Sequence, residues 1–209
     1  MNRESSSGID RLIELVTVLV LGIATVGTAW CGYQAAQWNG VQASAMTAST
    51  DARVEASRLF GLATQKASYD SSMIAQYAQA VQAGNTKLAT FYRDTLIREE
   101  LLPVIDRWEA EIRAGRTPTR LIDDTSYMNA QFGPYQQATA KADAATAESL
   151  KAGDVQHNYV INTILLAVAL FFSGVTSSFT YRPARVLLVL ASIASLGVAA
   201  VNLADLPVG

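Results

Sequence analysis

An all-α integral membrane protein, with three transmembrane helices and an extramembrane helical bundle inserted between spans one and two, is the fold class the sequence predicts. Three observations carry the prediction. Uncharged apolar runs cover residues 15–30, 160–179 and 186–201. A hydrocarbon core asks for about 20 such residues at about 1.5 Å rise each. The stretch between the first two runs shows helical spacing of apolar residues, and nowhere sustained Val/Ile/Thr alternation.

The chain has 209 residues and a net charge of −2, with no basic stripe, so nucleic acid is not an expected partner. A single cysteine, Cys31, excludes an internal disulfide. One cysteine and one histidine do not supply the four N or S ligands of a structural zinc site.

Residues 1–11 read as a cytoplasmic tail with Arg3 and Arg11, and 12–33 as the first span. Glu14 is expected to pair with Arg11 at the inner boundary. The segment also has features of a cleaved signal peptide: a basic start and small residues at Gly27-Thr28-Ala29. Trp30, Tyr33 and Trp38 follow as an aromatic belt, which favours an uncleaved anchor. Trp30 before Cys31 argues against a lipidated cysteine. Thr28, Gly32, Ala36 and Gly40 fall at four-residue steps on one face. Such small-xxx-small faces let helices approach closely in a membrane. On that reading Gly32→Leu should disturb assembly more than Ala35→Leu, and Cys31, near the outer interface, could cross-link two copies.

Residues 34–157 form the predicted extracytoplasmic helical domain. The first helix is expected to run on to Gly84-Asn85, with Ala45, Ala48, Ala52, Leu59, Leu62, Tyr69, Met73, Tyr77 and Ala80 as its core stripe. Thr86 is the expected cap of the next helix, Pro103 its kink or restart, and Gly115 its stop. Arg107–Glu111 and Glu109–Arg113 are expected i,i+4 pairs. Pro118 and Gly133-Pro134 mark 116–134 as a long irregular segment. An Ala-rich helix from Tyr135 then feeds the second span, 158–180. A cytoplasmic loop at 181–185, the third span at 186–204 and an extracytoplasmic tail at 205–209 complete the chain. Arg3, Arg11, Arg182 and Arg185 all lie on one side in this arrangement, so the positive-inside rule puts the N-terminus inside and the main domain outside.

Few residues invite chemistry. Glu99-Glu100 and Asp123-Asp124 are neighbours that diverge by about 100° on a helix, so they read as solvated rather than as acid–base pairs. Asp70 lies in the core stripe, and a buried carboxylate there requires an Arg or Tyr partner. His157, at the mouth of span two, is a weak candidate cofactor ligand against the commoner reading of an interfacial side chain. No cofactor or metal is expected. Asn162, inside span two, is expected to hydrogen-bond another helix, and it joins Gly174 among the helix-packing candidates. Tyr159, Tyr181, Arg182 and Arg185 complete the expected interface set.

The segment from Thr28 through Trp30, Tyr33-Gln34-Ala35, Trp38, Gly40 and Gln42-Ala43 resembles the opening motif of a group of uncharacterised three-span bacterial membrane proteins, T-A-W-x-x-Y-Q-A-x-x-W-x-G-x-Q-A. Leu88-Ala89, Phe91-Tyr92-Arg93, Trp108 and Asp154 to Gly174, with its Ala169–Gly174 stretch, are also similar, and 116–134 is least alike. The resemblance implies the architecture and the bacterial inner membrane, and no activity. The expected function is a non-enzymatic integral membrane protein that self-associates or serves as an accessory or scaffold subunit of a larger membrane complex. Its expected partners are the bilayer and further copies or other membrane subunits. The alternatives are an extracytoplasmic sensor or ligand-binding bundle signalling through a partner, and a subunit of an oligomeric channel or transporter.

Overall fold

The computed structural model describes residues 8–209, the side chain of Ile9 excepted; Arg3 lies outside them. It is all-helical, without strands among the described residues. Five α-helices follow in order: α1 Gly8–Gln82, α2 Thr86–Phe91, α3 Leu102–Arg113, α4 Thr125–Thr176 and α5 Arg182–Ala204. α1, α4 and α5 are each long and apolar enough to cross a membrane.

The chain divides into two compact units. One comprises the N-terminal part through Met46 together with Thr146–Gly209; the other is Thr47–Ala145. Residues 34–46 and 146–157, which the sequence assigned to the domain between the spans, therefore pack with the apolar helices.

In the first unit α1, α4 and α5 enclose Ala24, Cys31, Ala35, Tyr159, Leu166, Ala169 and Ala199. Gln34, Asn162, Ser173, Thr176 and Ser192 are buried beside them. Most of the large side chains point the other way: Leu15, Val18, Ile23, Val26, Ile164, Phe171, Leu187, Leu190 and Val201 are exposed. Serine hydroxyls link the helices through backbone carbonyls. Ser173 donates to Thr17 O at 3.0 Å, Ser195 to Leu165 O at 2.7 Å, and Ser149 to Gln42 O at 3.2 Å.

The second unit is built along α1. Ser49, Ala56, Ala63, Asp70 and Tyr77 are buried at steps of seven residues, the spacing that keeps one face of a helix against its neighbours. Leu62 and Tyr69, expected in this stripe, are exposed; the seam takes Ala63 and Asp70 instead. Small residues on the seam permit close approach, and their bulkier neighbours turn outward.

Gly84 ends the turn after α1 with φ +68°, a conformation that costs glycine nothing. Asn85, not Thr86, caps α2: its side chain accepts the Leu88 N–H. A π-helical turn, Tyr92–Leu96, and a 3-10 turn, Glu99–Leu101, then break the helix, and Pro103 opens α3. Gly115, with φ +69°, follows the end of α3.

The expected irregular region 116–134 is much shorter. α4 begins at Thr125 and runs through Gly133 and Pro134. A proline inside a helix removes one backbone bond; Pro134 is exposed, so water can serve the carbonyl it leaves.

Candidate functional site

The second unit holds a buried polar network centred on Asp70. Its carboxylate is fully buried and accepts Arg98 Nε at 3.0 Å and Arg98 Nη2 at 2.6 Å, a bidentate pair. Tyr127 donates its phenol to the same carboxylate at 2.7 Å. The break after α2 makes this possible. Arg98 is extended, with φ −67° and ψ 147°, so it leaves the helical path and reaches back to α1. Leu101, Val104 and Ile105 pack with Ile74, Tyr77 and Tyr127 around it. The bond to Asp70 raises the guanidinium pKa of Arg98 against the opposing effect of burial. Burial, and then the bond to Asp70, pushes the Tyr127 phenol well above its ordinary range.

A second cluster lies beside it. Glu109 accepts the Tyr77 hydroxyl and Arg93 Nη1 on one oxygen, and Arg93 also binds Asp106. Burial, then the bond to Glu109, raises the Tyr77 pKa. Tyr92 donates to Gln76 at 2.9 Å and Tyr69 to Leu96 O at 2.9 Å. A groove of about 420 Å3, lined by Val81, Trp108, Ile112 and Pro118, runs along this cluster.

Asp124 was expected to be merely solvated. It is the cap of α4, accepting the Tyr127 N–H at 3.0 Å and the Ser126 hydroxyl at 2.6 Å, and it pairs with Arg107. Burial alone would raise its pKa; those three donors outweigh burial and hold it at about 2. Arg107 thus turns to Asp124 rather than Glu111, and Glu111 instead takes the Thr119 N–H and hydroxyl. Asp123 pairs with Arg120, and Glu100 lies 3.6 Å from Arg98. Asp124-Thr125-Ser126 is a readable capping signal, while Gly133-Pro134 further on has the composition of a turn.

The helix-packing candidates of the first unit fall mostly outside its core. Gly32, Ala36 and Gly40 are exposed, and a Cβ at either glycine would meet nothing within 4 Å. Thr28 is half-buried and donates to Ala24 O on its own helix. Gly174 is exposed with open space around it. The close approaches occur at Gly27, where a Cβ would come 3.1 Å from Leu166, and at Gly153, where it would come 2.7 Å from the Gln42 amide. Asn162 is buried, but its amide donates to Asn158 O of its own helix, and its Oδ1 has no partner. A bond to another helix was the wrong expectation. Cys31 is fully buried, which removes the expected cross-link between copies.

Of the interface candidates, Trp30, Tyr33 and Tyr181 are exposed. Arg11 is exposed too, and Glu14 has no ion pair with it. Tyr159 is buried, not interfacial: its hydroxyl donates to Pro207 O at 3.1 Å, a carbonyl that also accepts Trp38 Nε1 at 3.2 Å. Gly209 N–H donates to the buried Gln34 at 3.1 Å. The 205–209 segment is therefore fastened to α1 and α4. At the other end of these helices, Arg182 binds Asp10 at 2.6 Å and Arg185 lies 3.6 Å from it.

His157 is exposed, and among the described residues no three or more His, Cys, Asp or Glu side chains form a group that could hold a metal. Comparison with family models, with curated proteins and with solved structures gives no match.

Proposed function

We propose that this is a non-enzymatic multi-pass protein of the bacterial inner membrane. It acts as a self-associating or accessory subunit of a larger membrane complex, with its N-terminus and 181–185 loop inside and the Thr47–Ala145 unit outside. One observation carries the membrane reading. The first unit is arranged for an apolar solvent: alanine, serine, asparagine and glutamine make up most of the inside, and apart from Ile13, Val20, Leu166 and Val189 the large aliphatic side chains lie partly or wholly outside. In water that arrangement forfeits the hydrophobic stabilisation of 26 large side chains; in lipid it costs nothing. The expected resemblance to three-span bacterial membrane proteins supports the same reading. The open stripe of Gly32, Ala36 and Gly40 supports association, because no side chain among the described residues covers a Cβ placed at either glycine.

A cysteine at Asp123, with Cys31 replaced, tests the orientation. It should react with membrane-impermeant thiol reagents in intact spheroplasts; labelling only after lysis would reverse the topology. Mild detergent extraction followed by sizing tests association, and a clean monomer without a co-purifying partner would end that reading. The sensor reading is favoured by one feature, the Trp108–Ile112–Pro118 groove beside Tyr77 and Glu109.

A further inference from the structure

The groove of about 420 Å3 in the second unit lies between α1, at Tyr77 and Val81, and a wall made by Trp108, Ile112 and Pro118. That wall is fixed in advance. Trp108 Nε1–H donates to Thr119 O, and Thr119 donates both its N–H and its hydroxyl to Glu111. Pro118 is thereby held in place before any ligand arrives, which lowers the ordering cost of binding. Val81 and Ile112 nevertheless stand half exposed. The volume falls in the range of small-molecule clefts, about 300–1,000 Å3.

Glu109 is the charged side chain in this lining, and its two oxygens are used unequally. Oε1 accepts both the Tyr77 hydroxyl and Arg93 Nη1. Oε2 accepts no hydrogen bond among the described residues, and it is not buried. Arg113 approaches it only to 3.6 Å, with a side chain 73% exposed, so water screens that pair. Arg93 spreads its single charge over Glu109 and Asp106. The groove thus offers apolar walls and one reachable carboxylate oxygen that lacks a donor.

We infer that the groove binds an amphiphilic amine, a primary or secondary ammonium carried on an aliphatic or aromatic body. Any occupant of the groove also covers Glu109. A wholly apolar occupant strands Oε2 without a donor, and an anion is repelled by it. An ammonium gives Oε2 a charge-assisted N–H bond, while its body covers Val81, Ile112 and the Trp108 indole. The inference deepens the ligand-binding reading of the second unit and rests on it.

The test is equilibrium dialysis of the full chain in detergent against phenethylamine, its neutral isostere phenethyl alcohol, the anion hydrocinnamate and phenethyltrimethylammonium. Protein-free micelles correct for partition into detergent, and hydrogen exchange over residues 108–118 reads the place of binding. The expected result is saturable binding of phenethylamine with about tenfold preference over the other three, the discrimination one charge-assisted bond provides. Glu109→Gln keeps an oxygen for Tyr77 and Arg93 but puts an amide donor in place of Oε2, so it should erase the preference. Arg113→Gln removes a competing cation and should tighten phenethylamine binding. Equal binding of the alcohol or of the trimethylammonium compound, or a preference that survives Glu109→Gln, would overturn the assignment. Binding of the alcohol or of hydrocinnamate in preference, with protection over 108–118, refutes the ammonium alone. No saturable binding of any of the four refutes the ligand-binding reading with it.

Discussion

Helix α1 runs through both units, and the residues on its outer face differ between them. In the first unit Ala24, Cys31 and Ala35 face inward, while Leu15, Leu19, Ile23 and Val26 face out. In the second unit Ala56 and Ala63 still occupy the seam, but Asp51, Glu55, Arg58 and Lys66 hold exposed positions. The seam of small residues is shared, and the outer face differs. Close helix packing is therefore set by the small residues in both units, and the outer face adapts to whatever surrounds it. The units also differ in how they treat buried polarity. The second pairs its buried carboxylate fully, at Asp70. The first leaves Gln34 Nε2 and Asn162 Oδ1 without partners.

The largest effect that can break this comparison is at Asp70. Asp70→Ala strands the Arg98 guanidinium and the Tyr127 hydroxyl, and breaking a buried pair from one side costs about 3–5 kcal/mol. Denaturation followed by circular dichroism, with hydrogen exchange resolving residues 97–105, should show the loss in the second unit alone. Combining Asp70→Leu with Arg98→Met and Tyr127→Phe should recover most of it, since a well-packed apolar replacement is often neutral. A triple variant as unstable as the single one would mean the network positions α3 in a way apolar packing cannot replace.

Next comes a contrast inside the first unit. Ala35 is buried in the core beside Tyr159, so Ala35→Leu overpacks it, at about 1–3 kcal/mol. Gly32→Leu meets open space within the chain. Thermal unfolding of each variant in detergent should therefore rank Ala35→Leu as the more harmful to the chain itself. Sizing adds a second axis. Gly32→Leu should lower the oligomer fraction without lowering chain stability, and an unchanged oligomer would remove the small-residue stripe from the association argument.

Why some of this was legible and some not follows from what each signal measures. The apolar runs were legible because hydrocarbon length is a count of residues. The length of α1 was legible because no breaker precedes Gly84. The seam was read one residue off at Leu62 and Tyr69, because large apolar residues were given the core, whereas the chain places Ala63 and the paired carboxylate of Asp70 there. Asp70 could be singled out from its neighbours in the stripe. Its partners could not, because Arg98 reaches it only after the π-helical turn and the break at Ile97, which carries no glycine or proline. The start of α4 was hidden behind Pro134, since an exposed proline within a helix looks like a stop.

A smaller effect is expected in acid. Asp124 has a folded pKa of about 2, below the unfolded carboxylate value of about 3.9. The unfolded chain therefore takes up the proton first as pH falls. The stabilisation is complete above about pH 4 and is lost as pH drops towards 2, and after screening it amounts to about 1–2 kcal/mol. Asp124→Asn keeps a capping oxygen and should flatten the stability curve over that window. An unaltered slope would assign the acid sensitivity of the second unit to another carboxylate.

The smallest effect is at Asn162, and it sharpens the comparison most directly. Its amide N–H returns to Asn158 O on its own helix, and its Oδ1 is buried without a partner. An unsatisfied acceptor is a liability, so removing it relieves a desolvation cost while losing one local bond. Leucine has the same branched skeleton of side-chain heavy atoms and suits the neighbouring Leu166. Asn162→Leu should therefore leave stability in detergent within about 1 kcal/mol of the parent, or raise it. Because Asn162 is only 2% exposed, it cannot reach a second copy, and the oligomer fraction should also stay constant. A loss well beyond that range would mean that Oδ1 is satisfied in the membrane. The first unit would then treat buried polarity as the second does, with every buried group paired.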